Sequence, residues 1–406
     1  MNKALETLKE RGFFQQCTDV EGLSRLMDAG SVTFYVGFDP TGSSLHIGHM
    51  LPAFALRHLR DAGHCGIALV GGGTARIGDP SGKTEMRKMM NYDQIDANSS
   101  AIEAQLDRFI GFDGKTAYSD NNKNWLAELN YIDFLRDIGS HFSVNRMLTF
   151  EAYKKRLETG LSFVEFNYQL LQSYDFLQLN ERHGVALQIG GDDQWGNIVA
   201  GIELVRRING AQVYGLTFPL IMTSEGKKMG KTEKGSVFLD PSMTSPYEFF
   251  QFWRNTGDAD VRRFMLLFTF LSVADIDALL AGNINGAKER LAYEVTALIH
   301  GKEEAEKALS GAKAAFGGGG DKSSMPTVSL ERSRFDAGFG VLDLFFEAGL
   351  CATKSEARRL VEQGGAAVGE KPVTDVKAIL TFDILDAEGE VILRAGKKKF
   401  VRVITE

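Results

Sequence analysis

The chain has 406 residues, is 44% hydrophobic and 24% charged, and carries a formal net charge of −7. This is ordinary globular composition with room for about two or three domains. The acidic balance argues against a broadly basic nucleic-acid binder, while local basic patches remain open. The scattered cysteines Cys17, Cys65 and Cys351 argue against a disulfide framework or a structural zinc site and fit a reducing compartment.

The N-terminus "MNKALETLKERGFFQQ" is amphipathic and charged, without the apolar core of a secretory signal. No uncharged apolar run approaches the roughly 20 residues that span a bilayer. A cytoplasmic location and no membrane partner are expected. Next comes a recurring pattern of strand, glycine-bearing loop and helix. "SVTFYVGF" leads through "DPTGSS" to "LHIGHMLPAFALRHLRDAG", "GIALVGG" leads to "GTARIGDPSGK", and "GVALQIGG" leads through "DDQWGN" to "IVAGIELVRRING". A further strand, "VYGLTFPLIM", enters "TSEGKKMGKT". Such alternation implies a parallel sheet with crossovers, whose ligands bind beyond the carboxyl ends of the strands. Residues 256–305 read as helical, "GAKAAFGGGGDKSSMPTVSL" as a linker, and the remainder as a small α+β segment.

The loops carry the chemistry. His46 and His49 lie three residues apart at the expected start of a helix, a place that attracts phosphate through free N–H groups and the helix dipole. Gly48 between them leaves room for a flat ring against the backbone. A pair of capping histidines is the plainer alternative. Lys228 and Lys231 flank Gly230; alone they read as a solvated loop, but beside the histidines they would neutralise charge on a phosphate. Gly190, Gly191, Asp192, Asp193 and Gln194 follow a strand and suit ribose hydroxyls or an ammonium group; a turn whose aspartates cap a helix starting near Asn197 is the alternative. Tyr168, Gln172 and Asp175 share one helix face, apart from the apolar stripe of Phe166, Leu170 and Leu177. A buried Asp there requires partners.

"HIGH" followed by "KMGKT" is similar to the signature pair of the class I aminoacyl-tRNA synthetases. The runs "YVGFDPTGSSLHIGH", "ALVGGGTARIGDPSGK", "NYQLLQSYDF", "LQIGGDDQWGNI" and "SPYEFFQFW" resemble the bacterial tyrosyl-tRNA synthetase family along nearly the whole chain. The resemblance implies an α/β fold: a Rossmann-like parallel-sheet catalytic domain over 1–225 with a dimer-interface insertion near 120–150. A lysine loop and α-helical domain over 226–310, a linker over 311–335, and a small RNA-binding module of ribosomal-protein type over 336–406 would follow. It implies a ligase that forms tyrosyl-adenylate from L-tyrosine and ATP, then charges tRNA(Tyr). Mg²⁺ would arrive with the nucleotide, with no tightly bound protein metal, and the chain would form a homodimer through 130–148.

By the same resemblance, His46, His49, Lys228, Lys231 and Thr41 are catalytic. Tyr35 and Asp175 take the substrate phenol, Asp79, Tyr168 and Gln172 its ammonium group, and Gln194 lies beside the amino acid. Gly37, Asp39, Thr41, His46, Gly48, His49, Gly191, Asp193, Lys228 and Lys231 line the ATP site, while Lys83 and Arg87 hold pyrophosphate. Val36 and Pro52 depart from residues common in relatives. The tail "GLCATKSEARRLVEQGGAAV" resembles the RNA module, with Lys354, Arg358 and Arg359 as phosphate contacts. Its net charge is no help: residues 331–406 hold 12 Lys and Arg against 13 Asp and Glu. "AAVGEKPV" is a residue short of the module's usual turn, and a small tail docked on the body is the alternative. Three other readings stay in view: a small-metabolite nucleotidyltransferase, a non-catalytic RNA-binding paralogue, and a tryptophanyl enzyme, against which the Tyr35 and Asp175 pair argues.

Overall fold

The structure is a computed structural model. It describes all residues except 82–89, 225, 227–228, 233–234, 316–324 and 397–398, and it leaves aside the side chains of 152, 155, 231, 232 and 315. Lys83, Arg87 and Lys228, and the side chain of Lys231, thus lie outside the described residues.

Among the described residues, six strands form the main sheet: β1 (Gln16–Cys17), β2 (Thr33–Phe38), β3 (Cys65–Val70), β4 (Ala117–Asn121), β5 (Leu187–Gly191) and β6 (Tyr214–Phe218). Their order is β1-β6-β5-β2-β3-β4. All pairs are parallel except β1 with β6. The apolar runs of β3 and β6 are buried almost throughout, as a sheet covered on both faces demands. After the edge strand β1, the chain enters the centre at β2, moves out through β3 and β4, then crosses to β5 on the other side. That reversal between β2 and β5 is a switch point, where an open α/β sheet forms a crevice.

The chain forms two compact units, 1–243 with 259–277, and 244–258 with 278–406. The expected break at 225 therefore moves. Residues 226–243 and 259–277 belong with the sheet, not with the later helices. The apolar run 258–280 is also not one helix: it ends at Phe268 and resumes at Val273, where Thr269 adopts an extended backbone and its hydroxyl donates back to the Met265 carbonyl.

In the second unit, the helices Pro246–Arg254, Ile284–His300 and Lys302–Ala315 pack together. A five-stranded sheet follows, in the order 371–373, 366–368, 390–395, 399–405, 327–330. The predicted linker of 311–335 is thus shorter on both sides. A helix runs to Ala315, and Thr327–Leu330 is an edge strand parallel to Lys399–Thr405. Helices Val341–Glu347 and Lys354–Glu362 cover this sheet around Phe335, Phe345 and Leu393. The shortened "AAVGEKPV" closes as a tight hairpin, with Val368 opposite Lys371 and Gly369 at φ +59°.

Helix Phe163–His183 carries three of the expected site residues, and its start is fixed by a buried ion pair. Arg156, 4% exposed, forks onto Glu165, 3% exposed, at 3.0 Å, and Glu165 also accepts from Ser162 in a capping box. Replacing Arg156 by Met would strand a buried carboxylate. We expect a loss of about 3 kcal/mol or more in urea unfolding, with the Glu165→Gln, Arg156→Met double variant recovering part of it.

Candidate active site

A cavity of about 420 Å³ opens at the switch point. Its walls include Tyr35, Gly37, Asp39, Thr41, His46, Gly48, His49, Asp79, Tyr168, Gln172, Asp175, Gly191, Asp193 and Gln194. Every expected tyrosine and nucleotide residue among the described ones is therefore at one place, apart from the lysines treated above.

The histidines serve as caps and line the cavity at once. Helix Ile47–Asp61 begins as expected, with His46 as its N-cap. The Nδ1 of His46 accepts the Gly48 N–H at 3.1 Å, and the Nδ1 of His49 accepts the His46 N–H at 3.1 Å. The two rings stack at 3.9 Å. A neutral imidazole that accepts at Nδ1 carries its proton on Nε2, so each ring is set as a donor from Nε2. Gly48 is needed for this cap, since a Cβ there would lie 2.9 Å from the His46 ring.

At the inner end, Asp175 is 2% exposed. Its carboxylate accepts from the Trp125 indole at 2.8 Å and the Asn122 amide at 2.9 Å. Burial pushes its pKa up to about 8, against the opposing pull of those two donors. Tyr35 is 1% exposed, and burial followed by the charge of Asp175 raises its phenol far above the usual range. It therefore stays a neutral donor, and among the described residues its hydroxyl has no protein partner. The same holds for the carbonyl oxygen of Gln188, which pairs in register with Tyr35 on the neighbouring strand.

A second group of polar side chains sits nearer the strand ends. Tyr168 donates to Asp39 at 2.9 Å, and Thr74 donates to the other Asp39 oxygen at 2.8 Å. Gln194 donates to Asp79 at 2.7 Å. Asn197 donates to Gln172 at 3.0 Å and to Gln194 at 3.1 Å. The alternative of aspartate caps does not hold. The helix begins at Trp195, with no side-chain cap, and Asp192 instead accepts from Gln16 and Thr217. Sequence reasoning missed Thr74, Asn122, Trp125, Gln188 and Asn197. Gln188 had a signal, as a polar residue inside the buried strand "ALQIGG"; Asn122 and Trp125 had none.

The lysine segment meets the histidines through the backbone. Ile47 N–H donates to Val237 at 3.1 Å, Leu239 N–H to Leu45 at 2.8 Å, and Val237 N–H to Gly230 at 2.9 Å. Gly230, at φ +80°, brings its backbone against Ile47, where a Cβ would be 3.1 Å from the Ile47 Cβ.

The family described as "tRNA synthetases class I (W and Y)" matches residues 27–317. The chain belongs to the class I tRNA synthetases. The S4 domain matches residues 342–383 of this synthetase. It is 65% identical to the tyrosine–tRNA ligase of Treponema denticola, with all of both chains covered. It is 51% identical to that of Clostridium tetani, again over all of both chains. Among solved structures it resembles a C-terminally truncated mitochondrial tyrosyl-tRNA synthetase of Aspergillus nidulans. There the TM-score is 0.70 at 30% identity, covering 77% of this chain and 93% of that one.

The raised pKa of Asp175 has a thermodynamic consequence. The folded chain holds a proton that the unfolded chain releases from about pH 4 upward, so this group's contribution to stability falls as pH rises from about 4 to about 8 and is flat above. The difference in unfolding free energy between the native chain and Asp175→Asn should shrink across that window and then level off, as read from urea titrations at several pH values.

Proposed function

We propose that the chain works as a tyrosine–tRNA ligase through this cavity. The carboxylate of L-tyrosine attacks the α-phosphate of ATP, forming the mixed anhydride and expelling pyrophosphate. A terminal ribose hydroxyl of tRNA(Tyr) then attacks the anhydride carbonyl, and AMP leaves. The first nucleophile is already ionised, so no general base is required. Positioning and charge stabilisation carry the step. Mg²⁺ enters as part of the nucleotide substrate.

The observation that carries the tyrosine assignment is the pairing of Tyr35 and Asp175. A neutral phenol donor without a protein partner and a buried carboxyl group line the same cavity. The hydroxyl of a substrate tyrosine supplies both an acceptor and a donor to such a pair. An indole offers a single N–H, and phenylalanine offers nothing, leaving the buried Tyr35 hydroxyl unpaired and Asp175 with only its two protein donors. Asp79, Tyr168, Gln172 and Gln194 are the groups for the ammonium. The Nε2 donors of His46 and His49, with Thr41, face the phosphates. Gly37 leaves open space where a side chain would obstruct the nucleotide, since nothing lies within 4 Å of a Cβ placed there. Asp39, Gly48, Gly191 and Asp193 complete the nucleotide wall. Lys228 and Lys231 would neutralise the departing charge, and Lys83 and Arg87 would hold pyrophosphate.

In the second unit, Lys354, Arg358 and Arg359 are exposed on one helix and are our candidates for tRNA phosphates. Lys354 is also paired with Asp343. A homodimer in the cytoplasm completes the reading. In its favour, Tyr131, Ile132 and Val144 within 130–148, and Leu157 and Phe163 just beyond, are large apolar side chains left exposed. No helix among the described residues is long and apolar enough to cross a membrane.

ATP–pyrophosphate exchange without tRNA tests the assignment. Tyrosine alone among the amino acids should support it. His49→Ala should slow exchange by about 10²-fold, the typical cost of one transition-state donor, with tyrosine affinity retained. Exchange driven by tryptophan, or none with any amino acid, would overturn the reading.

A further inference from the structure

The segment carrying Lys228 and Lys231 is held at both ends, by different devices. Its far end is laid along Leu45–Ile47 by the backbone bonds described above. Its near end, Met222–Ser224, is gripped by two side chains from a distant part of the sequence. Asp260, 4% exposed, accepts the Ser224 N–H at 2.9 and 3.1 Å and the Ser224 hydroxyl at 2.9 Å. Arg263 bonds the Met222 carbonyl and pairs with Asp260 at 2.7 Å. Met222 itself lines the cavity.

Asp260 and Arg263 stand at the start of helix Val261–Phe268. The other end of that helix rests on the histidine helix. Phe268 meets Phe54 edge-on at 5.7 Å, and Phe270, just beyond, stacks on Phe54 at 5.4 Å. Arg11 fastens this end by donating to the carbonyls of Leu266, Thr269 and Leu271. One short helix thus spans from the histidine helix to the stem of the lysine segment. One end is bonded to Met222 of the cavity wall, and the other packs on the helix that carries the histidines.

We propose that Asp260 is a positioning residue for adenylate formation, fixing the stem of the lysine segment relative to His46 and His49. The proposal rests on the function above, since it assigns Asp260 an effect on a step the lysines assist. Asp260 touches no substrate and acts through Ser224 and Arg263. Charge stabilisation on a departing phosphate depends on donors being in place before the reaction. A stem released from Asp260 no longer fixes where the lysine segment begins, which lowers kcat while the tyrosine pocket, built from β2 and helix Phe163–His183, stays as it is.

The test compares Asp260→Ala and Asp260→Asn in the full chain. In the asparagine variant the amide oxygen still accepts from Ser224 and Arg263, and the amide nitrogen donates to the Ser224 hydroxyl. Two measurements are made: amide hydrogen exchange of peptides covering 221–239, and the kcat, ATP KM and tyrosine Kd of ATP–pyrophosphate exchange. Asp260→Ala should speed hydrogen exchange in those peptides and lower kcat by about tenfold or more, with tyrosine Kd within about twofold. Asp260→Asn should restore kcat to within about threefold of the native chain. Unchanged hydrogen exchange in the alanine variant overturns the proposal, whatever reaction the chain runs. So does a loss of tyrosine affinity matching the loss of kcat, which would mark a general structural defect. Faster hydrogen exchange in a chain whose native form shows no tyrosine-dependent activity would instead sustain the clamp and reject the functional reading.

Discussion

Asp39 receives one hydroxyl hydrogen bond from Tyr168 and another from Thr74, and three segments of the chain are thereby tied at the sheet edge. Asp39 follows β2, Thr74 follows β3, and Tyr168 belongs to the long helix that also carries Gln172 and Asp175. The cavity exists because these three arrive together. Asp79 and Asp175 repeat the same logic, each held by neutral amide or indole donors. These three, with Asp193 also on the cavity wall, repel one another if all are ionised. The raised pKa of Asp175 is one relief from that repulsion, and a substrate ammonium group is another. A site of this kind favours a ligand whose positive end and hydroxyl end are a fixed distance apart, as in an amino acid with a phenol side chain.

The histidine motif removes an apparent choice between structure and chemistry. Capping fixes each ring through Nδ1, and by doing so decides which nitrogen carries the proton. The cap is therefore the orienting device. The orphan N–H groups at this helix start are partly satisfied by the same side chains that present donors to the cavity.

Much of this was legible in the sequence, for a physical reason. Glycine-bearing loops directly after apolar strands reveal a sheet edge, and parallel strands carry all such loops to the same side. His46 and Gln194 could therefore be brought together without coordinates, whereas Asp39 and Asp79 came only from the family resemblance. The partners of Asp175 could not. Asn122 and Trp125 lie about fifty residues away with no periodic or motif signal, and only the packing of β4 beside β3 brings them close. The division of the chain was misread for a related reason. Residues 259–277 look like any other helical stretch, yet Asp260 and Arg11 attach them to the first unit through contacts that hydrophobic spacing does not encode. Thr327–Leu330 was hidden in a glycine- and serine-rich stretch, where four residues gain strand character only from their neighbour Lys399–Thr405.

The backbone rungs between Leu45–Ile47 and Val237–Leu239 also restrict how this lineage can change its length. An extra residue between Thr232 and Val237 would slip the rungs by one position and turn Phe238 to the opposite face, disturbing the approach to His46. Ahead of Met229, whose N–H donates back to the Ile221 carbonyl, a longer loop beyond Ser224 costs only a slowly growing closure entropy. Insertions and deletions should therefore accumulate ahead of Met229 and be purged behind it, so the spacing from Gly230 to Val237 acts as a ruler that drift leaves alone.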